Sequence, residues 1–466
     1  MEAVSAVILA AGEGTRMLSK KTKVLHEILY KPMISWVTDA AAKTGIADFC
    51  IVAGKNKDEL AALITDANFV IQEEQKGTAH ALMQAKDFIA ARGGDVFVLY
   101  GDTPLVTSAT LAALLERHHE TGADMSVLGV KASNPSGYGR LVINDAGELI
   151  RIVEHRDATP DQLEIDEING GVYIFRAETL LDIFPMFTTD NAQGEYYLTD
   201  AVVHILAKGG TAAAYIAPNE EEILGVNDRV QLAAAAGILK NRIAAELARS
   251  GVTLIDPASC FISPEAIIGR DTVIEPGVII KGKTMIGEGC TIGPNTMIDE
   301  CRIGEGSVVN SSQLNWSIIG KKANIGPFSY IRPGCELADN VKVGAYVELK
   351  AASVGEGTKI PHLTYAGDAV IGARVNIGCG TIFCNYDGFN KHITEIGDDV
   401  FIGSNNNLVA PVKIGSGSYT ASGSTITQDV PENALSVARS RQENKANWAK
   451  KYREMHTKSP GGGTER

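Results

Sequence analysis

Two stretches of this chain carry residue types that can do chemistry, and they lie far apart. The first begins with LAAGEGTRM, Leu9 to Met17, followed by Lys23. Small residues there let the backbone approach a ligand, Gly12 and Gly14 allow unusual dihedrals, and exposed N–H groups beside Arg16 and Lys23 suit a chain of phosphates. Taken alone, the glycines also fit a structural turn, and Lys23 a solvated lysine in the run Lys20, Lys21, Lys23. The partner to this loop is YGDTPL, Tyr100 to Leu105, where Asp102 stands at the end of an apolar run. A carboxylate so placed can hold Mg2+ between nucleotide phosphates, although an isolated Asp after a strand also serves as a turn or cap. The second stretch contains His362, followed by Thr364 and Tyr365. A neutral imidazole near pH 7 can accept a proton from a reacting group, a contribution of about 10²- to 10⁴-fold in rate. A lone histidine there would more often be a stacked surface side chain.

The elements that must position these residues differ between the two stretches. As far as about Val226, β-branched or apolar runs alternate with Ala/Leu-rich segments. Val4 to Leu9, Phe49 to Ala53, Val70 to Gln72, Val96 to Tyr100 and Met125 to Val130 read as strands; Trp36 to Lys43, Glu59 to Ile64, Ala79 to Ala90 and Leu111 to His119 read as helices. The alternation predicts a Rossmann-like α/β domain over residues 1–226, with a largely parallel sheet and ligands at the carboxyl ends of its strands. Leu239, Ile243 and Leu247 step by four through an Ala-rich stretch over residues 227–250, which predicts a connecting helix capped by Gly251; Asn227 would fit its N-cap.

From residue 251 to 466 the period changes. Ile268, Ile274, Ile280, Ile286, Ile292 and Ile298 recur at every sixth residue. Ile319, Ile325, Ile331, Leu337, Val343 and Leu349 repeat the step, as do Ile396, Ile402, Leu408 and Ile414. That period predicts a parallel β-helix, each inward apolar residue stacking on its equivalent one coil away. Phe383 to Glu395 interrupts the repeat and reads as a loop thrust out of the prism; the tail from Arg439 onward loses the pattern and is expected to fray at its end.

Forty-three Lys and Arg against 56 Asp and Glu give a net charge of −13, which argues against a general nucleic-acid binder and confines any phosphate site to a local pocket. The run Ala3 to Ala11 is too short to span a bilayer, so neither a signal peptide nor a membrane span is expected. Seven scattered cysteines without a CxxC pair read as reduced, buried thiols of a cytoplasmic protein.

In order, LxxGxGTRM, Lys23, Gln72 and Gln75 with Gly77 and Thr78, and YGDTPL resemble the sugar-nucleotide pyrophosphorylases. GYGR from Gly137, IVEH from Ile152, EING from Glu167, NAQGEYYLTD from Asn191 and GVN from Gly225 narrow the resemblance to the bacterial bifunctional N-acetylglucosamine-1-phosphate uridyltransferase/glucosamine-1-phosphate acetyltransferases. IRPGCEL from Ile331, VELKAA from Val347, HLTYAGD from His362, NIGCGT from Asn376 and NYDGFNK from Asn385 extend it through the second half, which it implies is a left-handed β-helix.

The resemblance implies roles residue by residue. Gln72, Gly77 and Thr78 would read uracil; Gly139, Glu154 and Asn169 would hold the sugar; Asp102 and Asn227 would carry Mg2+. Leu9, Ala10, Ala11, Gly12, Lys23, Tyr100 and Gly101 would complete the UTP and UDP-sugar site. There a sugar-phosphate oxygen would attack the α-phosphorus of UTP and expel pyrophosphate, with Arg16 and Lys23 neutralising charge. In the β-helix, His362 would be the general base toward glucosamine 1-phosphate, with Glu348 as its proton or orientation partner. Arg332, Lys350, Tyr365, Asn376 and Lys391 would hold that substrate, and Cys379, Asn385, Tyr386, Ser404, Ser422 and Arg439 would match acetyl-CoA positions. Cys379 and Cys384 read as packing thiols rather than nucleophiles. N-acetylglucosamine 1-phosphate made at one site would feed the other, and the family implies a homotrimer. Cys379 and Ser422 stand where relatives carry Ala, Gly170 where Thr is usual, and Thr22 where Pro is usual; none removes a charged or proton-transfer residue. A single-activity nucleotidyltransferase with a β-helix for trimerisation or regulation is the alternative, and a non-enzymatic binding or structural protein is a third. His362, Asn385 and Tyr386 weigh against the first, and Arg16, Lys23, Asp102 and His362 together against the second.

Overall fold

A computed structural model describes residues 3–55 and 57–457. The chain divides into two compact units: Met1–Ile268 with Ile274–Thr284, and Gly269–Val273 with Met285–Arg466.

The first unit is built on a mixed sheet. Its strands are β1 (Val4–Ala10), β2 (Asp48–Ala53), β3 (Asn68–Ile71), β4 (Asp95–Tyr100), β5 (Met125–Lys131), β6 (Arg140–Ile143), β7 (Leu149–Val153), β8 (Glu167–Arg176) and β9 (Ala212–Ala217). Their order is β9-β5-β8-β4-β1-β2-β3, with β6 pairing both β8 and β7. β1 runs parallel to β2 and β4, whereas β8 is antiparallel to β4 and β5. Both faces of the sheet are covered, so β1 is apolar without alternation: Ala6, Ile8 and Ala10 enter one core while Val7 and Leu9 enter the other.

The five strands expected from sequence are present, with Gln72 just outside β3, where its N–H still reaches Ala53 O at 2.8 Å. The expected sheet was largely parallel; β8 and the β6–β7 hairpin make it mixed. The single helix expected over Ala79 to Ala90 is two, Thr78–Met83 and Lys86–Arg92. The break at Gln84–Ala85 keeps Leu82, Ala85 and Ile89 all fully buried on one core.

The helix Arg229–Arg249 is capped at its start by Asp228, whose carboxylate accepts from Gln231 N at 2.8 Å; Asn227 is therefore not the N-cap. At its end Gly251, at φ +94°, sends its N–H to Ala248 O while Val252 N–H reaches Leu247 O, a Schellman stop. Lys240 donates to Ala258 O and lies 5.0 Å from the Phe261 ring centroid. These contacts group the first hexapeptide residues with the α/β unit, although the change of period begins at residue 251.

The second unit is a parallel β-helix. Met285 pairs with Arg302, Thr291 with Val308 and Met297 with Gln313, each one coil along. Every apolar residue of the three six-residue series is buried. The small hydroxyl residues that precede them satisfy the buried turns: Thr358 Oγ1 donates to Gly372 O at 2.7 Å and accepts from Val375 N at 3.0 Å. The looped-out segment is shorter than the sequence implied. Phe383 lies fully buried in Ile382–Cys384, and Glu395 belongs to Thr394–Ile396, because the repeat resumes as soon as an inward residue is available. The tail contains an exposed helix, Trp448–His456; its end lies outside the described residues. Among the described residues no helix is long and apolar enough to cross a membrane.

Candidate functional site

In the α/β unit the carboxyl ends of β1 and β4 open onto a cleft of about 290 Å3. Leu9, Ala10, Ala11, Gly12, Lys23, Gln72, Gly77, Thr78, Tyr100 and Asp102 all line it. A larger open groove of about 900 Å3 beside the helix Met33–Lys43 holds none of the predicted residues, so size alone does not choose the site.

Backbone geometry explains the convergence. Gly101 N–H donates to Leu9 O at 3.0 Å, and Val226 N–H donates to Asp102 O at 2.8 Å, which brings Asn227 beside Asp102. Gly14 makes room for Lys23: a Cβ there would stand 2.4 Å from Lys23 Cβ. Lys23 Nζ then donates both to Asp102 Oδ2 and, at 3.1 Å, to Asn227 Oδ1, with the Lys23 and Asp102 side chains 13% and 20% exposed. Two hard oxygen donors thus converge on one cation. That donor set fits Mg2+, whose remaining ligands come from phosphate and water; among the described residues no group of three or more His, Cys, Asp or Glu could hold a metal alone.

The end of the cleft lined by Gln72, Gly77 and Thr78 is organised by Gly77, which starts the helix Thr78–Met83 at φ +109°. A Cβ there would lie 2.5 Å from Tyr196 O, and Ala79 N–H donates to that same carbonyl. Gln72 Nε2 donates to Gly77 O at 3.3 Å and meets His80 Nδ1 at 3.0 Å. Thr78 Oγ1 accepts from Leu198 N at 3.1 Å. Further along, Asn169 N–H donates to Gly139 O at 2.9 Å, and Asn169 Nδ2 donates to the Tyr173 hydroxyl at 2.7 Å. Glu154 accepts from Thr199 Oγ1 at 3.1 Å; burial, aided by Asp157 and Asp200, raises its carboxyl above the ordinary range.

Arg16 is not brought in. It is exposed on Thr15–Met17 and does not line the cleft. Sequence reasoning assigned no role to Gln75, whose Nε2 donates to Ala11 O at 2.7 Å and fixes the loop, or to Glu195, which lines the cleft. Both already stood in quoted motifs, Glu195 within NAQGEYYLTD from Asn191.

Elsewhere in this unit Ser126 Oγ, His118 and Asp95 form a string, with Ser126 to His118 Nδ1 at 2.8 Å and His118 Nε2 to Asp95 at 3.4 Å. Ser126 is completely buried, which closes this string to substrate.

In the β-helix, Arg332 Nη1 meets Glu348 at 2.9 Å, so Glu348 is committed to Arg332. Among the described residues the His362 imidazole makes no hydrogen bond. It is exposed at the end of Lys359–His362, where Thr364 Oγ1 donates to the His362 carbonyl at 2.9 Å. Tyr365 follows on the next strand, in register with Glu348, and Lys350 is in register with Gly367. Lys391 lies against Lys350, whose ammonium holds that of Lys391 below its ordinary pKa. Asn376 sits apart from this cluster, in register with Lys359.

The acetyl-CoA candidates form a row on successive coils. Asn405 N–H donates to Cys379 O, Gly423 N–H to Ser404 O, both at 2.8 Å, and Arg439 Cδ lies 3.7 Å from where a Gly423 Cβ would stand. Ser422 precedes Gly423 in this row. Tyr386 is exposed and bridges Lys391 across the loop. Asn385 is 6% exposed and donates to Asp368 Oδ2 and, at 3.4 Å, to the Tyr365 hydroxyl. Five cysteines are buried as expected, but Cys379 and Cys384 are partly exposed; both sit on the outside of the repeat, so neither packs in the core.

The nucleotidyl transferase family model matches residues 5–226, and the bacterial transferase hexapeptide model matches residues 265–300, 317–351 and 393–428. The chain is 50% identical over 444 residues to the bifunctional protein GlmU of Geobacillus sp. (strain WCH70), covering 95% of this chain and 97% of that protein. It is 49% identical to the bifunctional protein GlmU of Heliobacterium modesticaldum, again over 95% and 97% of the two chains. The corresponding Brevibacillus brevis protein is 47% identical, over 97% and 98%.

Proposed function

The chain belongs to the family of bifunctional GlmU proteins, and from that premise we infer that its two folds carry two successive transfers. It is an enzyme that makes UDP-N-acetylglucosamine. Its left-handed β-helix moves an acetyl group from acetyl-CoA to glucosamine 1-phosphate. The α/β unit joins the resulting N-acetylglucosamine 1-phosphate to UTP with release of pyrophosphate. The observation that carries the first site is the convergence of Lys23, Asp102 and Asn227 at the mouth of the cleft.

Uridyl transfer needs charge neutralised and phosphates aligned rather than a protein nucleophile. Lys23 neutralises charge on the reacting phosphates, and the N–H groups of the Ala11–Gly12 loop bind them. Gln72, Gly77 and Thr78 hold the base, while Gly139, Glu154 and Asn169 hold the sugar. Arg16, exposed on the neighbouring loop, supplies its guanidinium only when substrate is present. Asp102 and Asn227 would hold Mg2+, which when bound would supply positive charge to the reacting phosphates.

In the β-helix, Arg332, Lys350 and Lys391 bind the sugar phosphate, with Tyr365 and Asn376 on its hydroxyls. His362 accepts the proton from the 2-amino group as it attacks the thioester. Cys379, Ser404, Ser422, Arg439 and Tyr386 contact acetyl-CoA along the row of coils. Both co-substrates are intracellular metabolites, which supports a cytoplasmic setting, and the exposed hexapeptide faces support assembly as a homotrimer.

Crossed substitutions test these assignments. Asp102→Ala is expected to abolish uridyl transfer and leave acetyl transfer intact, whereas His362→Ala slows acetyl transfer by about 10²-fold or more and leaves uridyl transfer intact. Chelating divalent ions stops uridyl transfer alone, and added Mg2+ restores it. Near-normal uridyl transfer by Asp102→Ala would remove that residue from the metal site.

A further inference from the structure

Three cations crowd the proposed sugar-phosphate site, and one carboxylate in it has no assigned role. Asp368 follows HLTYAG on the strand Tyr365–Ile371 and adopts φ +50°, a left-handed conformation that Asp tolerates better than most residues. Its side chain is 18% exposed. Lys350 Nζ donates to its two oxygens at 3.2 and 3.4 Å, and Asn385 Nδ2 donates to Oδ2 at 2.5 Å.

The charges facing this carboxylate come from every neighbouring coil. Arg332 is already neutralised by Glu348, and the Tyr365 hydroxyl touches Asn385. That leaves Lys350 and Lys391 side by side, with Asp368 the one carboxylate paired to either of them among the described residues. On the adjoining loop, Asp387 is occupied by His392 and by the N–H groups of Phe389 and Asn390. Two adjacent ammonium groups repel, and the repulsion persists until a phosphate arrives between them. A fixed carboxylate on one of them removes most of it. The same carboxylate locks Asn385 inward, under the Tyr365 hydroxyl.

We propose that Asp368 is a positioning residue for acetyl transfer: it pins Lys350 and Asn385 and balances the Lys350–Lys391 pair, so that both cations await the substrate phosphate in place. The proposal rests on the assignment of this cluster to glucosamine 1-phosphate. Without Asp368 the pair sheds a proton more readily, and phosphate binding weakens at alkaline pH while proton removal by His362 is untouched.

The test is the pH profile of acetyl transfer, with glucosamine 1-phosphate varied at saturating acetyl-CoA, for the full chain and three variants. Asp368→Asn is expected to raise KM for glucosamine 1-phosphate about tenfold at pH near 8.5, to leave kcat within about threefold, and to move the alkaline limb of kcat/KM down by about one pH unit. Asp368→Glu keeps the charge and is expected to retain the wild-type limb; it carries the test if the Asn variant does not fold. Limbs that superimpose for wild type and Asp368→Asn, or a limb displaced equally in Asp368→Glu, would overturn the proposal. Lys350→Ala separates the two claims. A raised KM there supports the site assignment, whereas an unchanged KM overturns that assignment and the proposal with it.

Discussion

At the scale of single residues, the chain separates groups that hold the fold from groups that meet substrate, and burial is what tells them apart. Asp95, 1% exposed, is held by His119 at 2.7 Å and His118 at 3.4 Å. Burial opposes its charge, yet the two imidazoles win and hold its carboxyl below the usual range. A depressed folded pKa contributes stability that is complete above the unfolded value, near 4, and fades as pH falls through the folded one. Asp95→Asn is therefore expected to destabilise the α/β unit by about 1–3 kcal/mol at neutral pH. Urea unfolding followed by Trp36 fluorescence, with Trp316 and Trp448 replaced by Phe, reads this; the gap between variant and parent should close below pH about 4. Lys23 and Asp102 are just as plainly paired, but they line a cleft instead of lying in the core. The motifs made those two legible in the sequence. They contained Glu195, within NAQGEYYLTD, without giving it a role, because its place in the cleft depends on that segment meeting a loop more than a hundred residues away. Nor did they give Asp368 a role, since its importance lies in the two lysines it faces rather than in its own neighbours along the chain.

At the scale of elements, legibility followed the source of the pattern. The six-residue period is imposed by stacking that repeats on every coil, so each inward residue was readable and each is buried. β1, β2, β4 and β5 were readable because strands covered on both faces are apolar throughout, and β3, at the edge of the sheet, by the short apolar run of Phe69, Val70 and Ile71. β6, β7, the antiparallel β8 and β9 were missed as strands, since β7 alternates irregularly at the edge of the sheet, β8 is interrupted by Gly170 and Gly171, where its pairing with β5 shifts register, and β9 is mostly Ala. The helix break at Ala85 was hidden for a similar reason: Ala-rich sequence carries the same apolar pattern whether the helix continues or turns. Gly77 joins two elements that sequence cannot bring together. Gly77→Ala would place a methyl against Tyr196 O at a backbone angle that L-residues avoid, a strain of about 1–3 kcal/mol. The expected result is about a ten- to hundredfold loss of kcat/KM for UTP with acetyl transfer unchanged. Equal losses in both reactions would indicate a general folding defect.

At the scale of the whole molecule, two architectures with unrelated packing rules each carry a site assembled from their own backbone, and the product of one is the substrate of the other. A β-helix serving only as a scaffold would have no use for an exposed His362 or for a cluster of three cations, nor for a hydrogen-bonded loop that bridges Tyr386 to Lys391. The most direct measurement is product identification by mass after incubating the purified chain with glucosamine 1-phosphate, acetyl-CoA, UTP and Mg2+, and again with each component left out. The account predicts UDP-N-acetylglucosamine and pyrophosphate from the complete mixture, N-acetylglucosamine 1-phosphate alone when UTP is omitted, and neither sugar product when acetyl-CoA is omitted. Glucosamine 1-phosphate left unacetylated in the presence of acetyl-CoA, while supplied N-acetylglucosamine 1-phosphate is still converted to the sugar nucleotide, would contradict it.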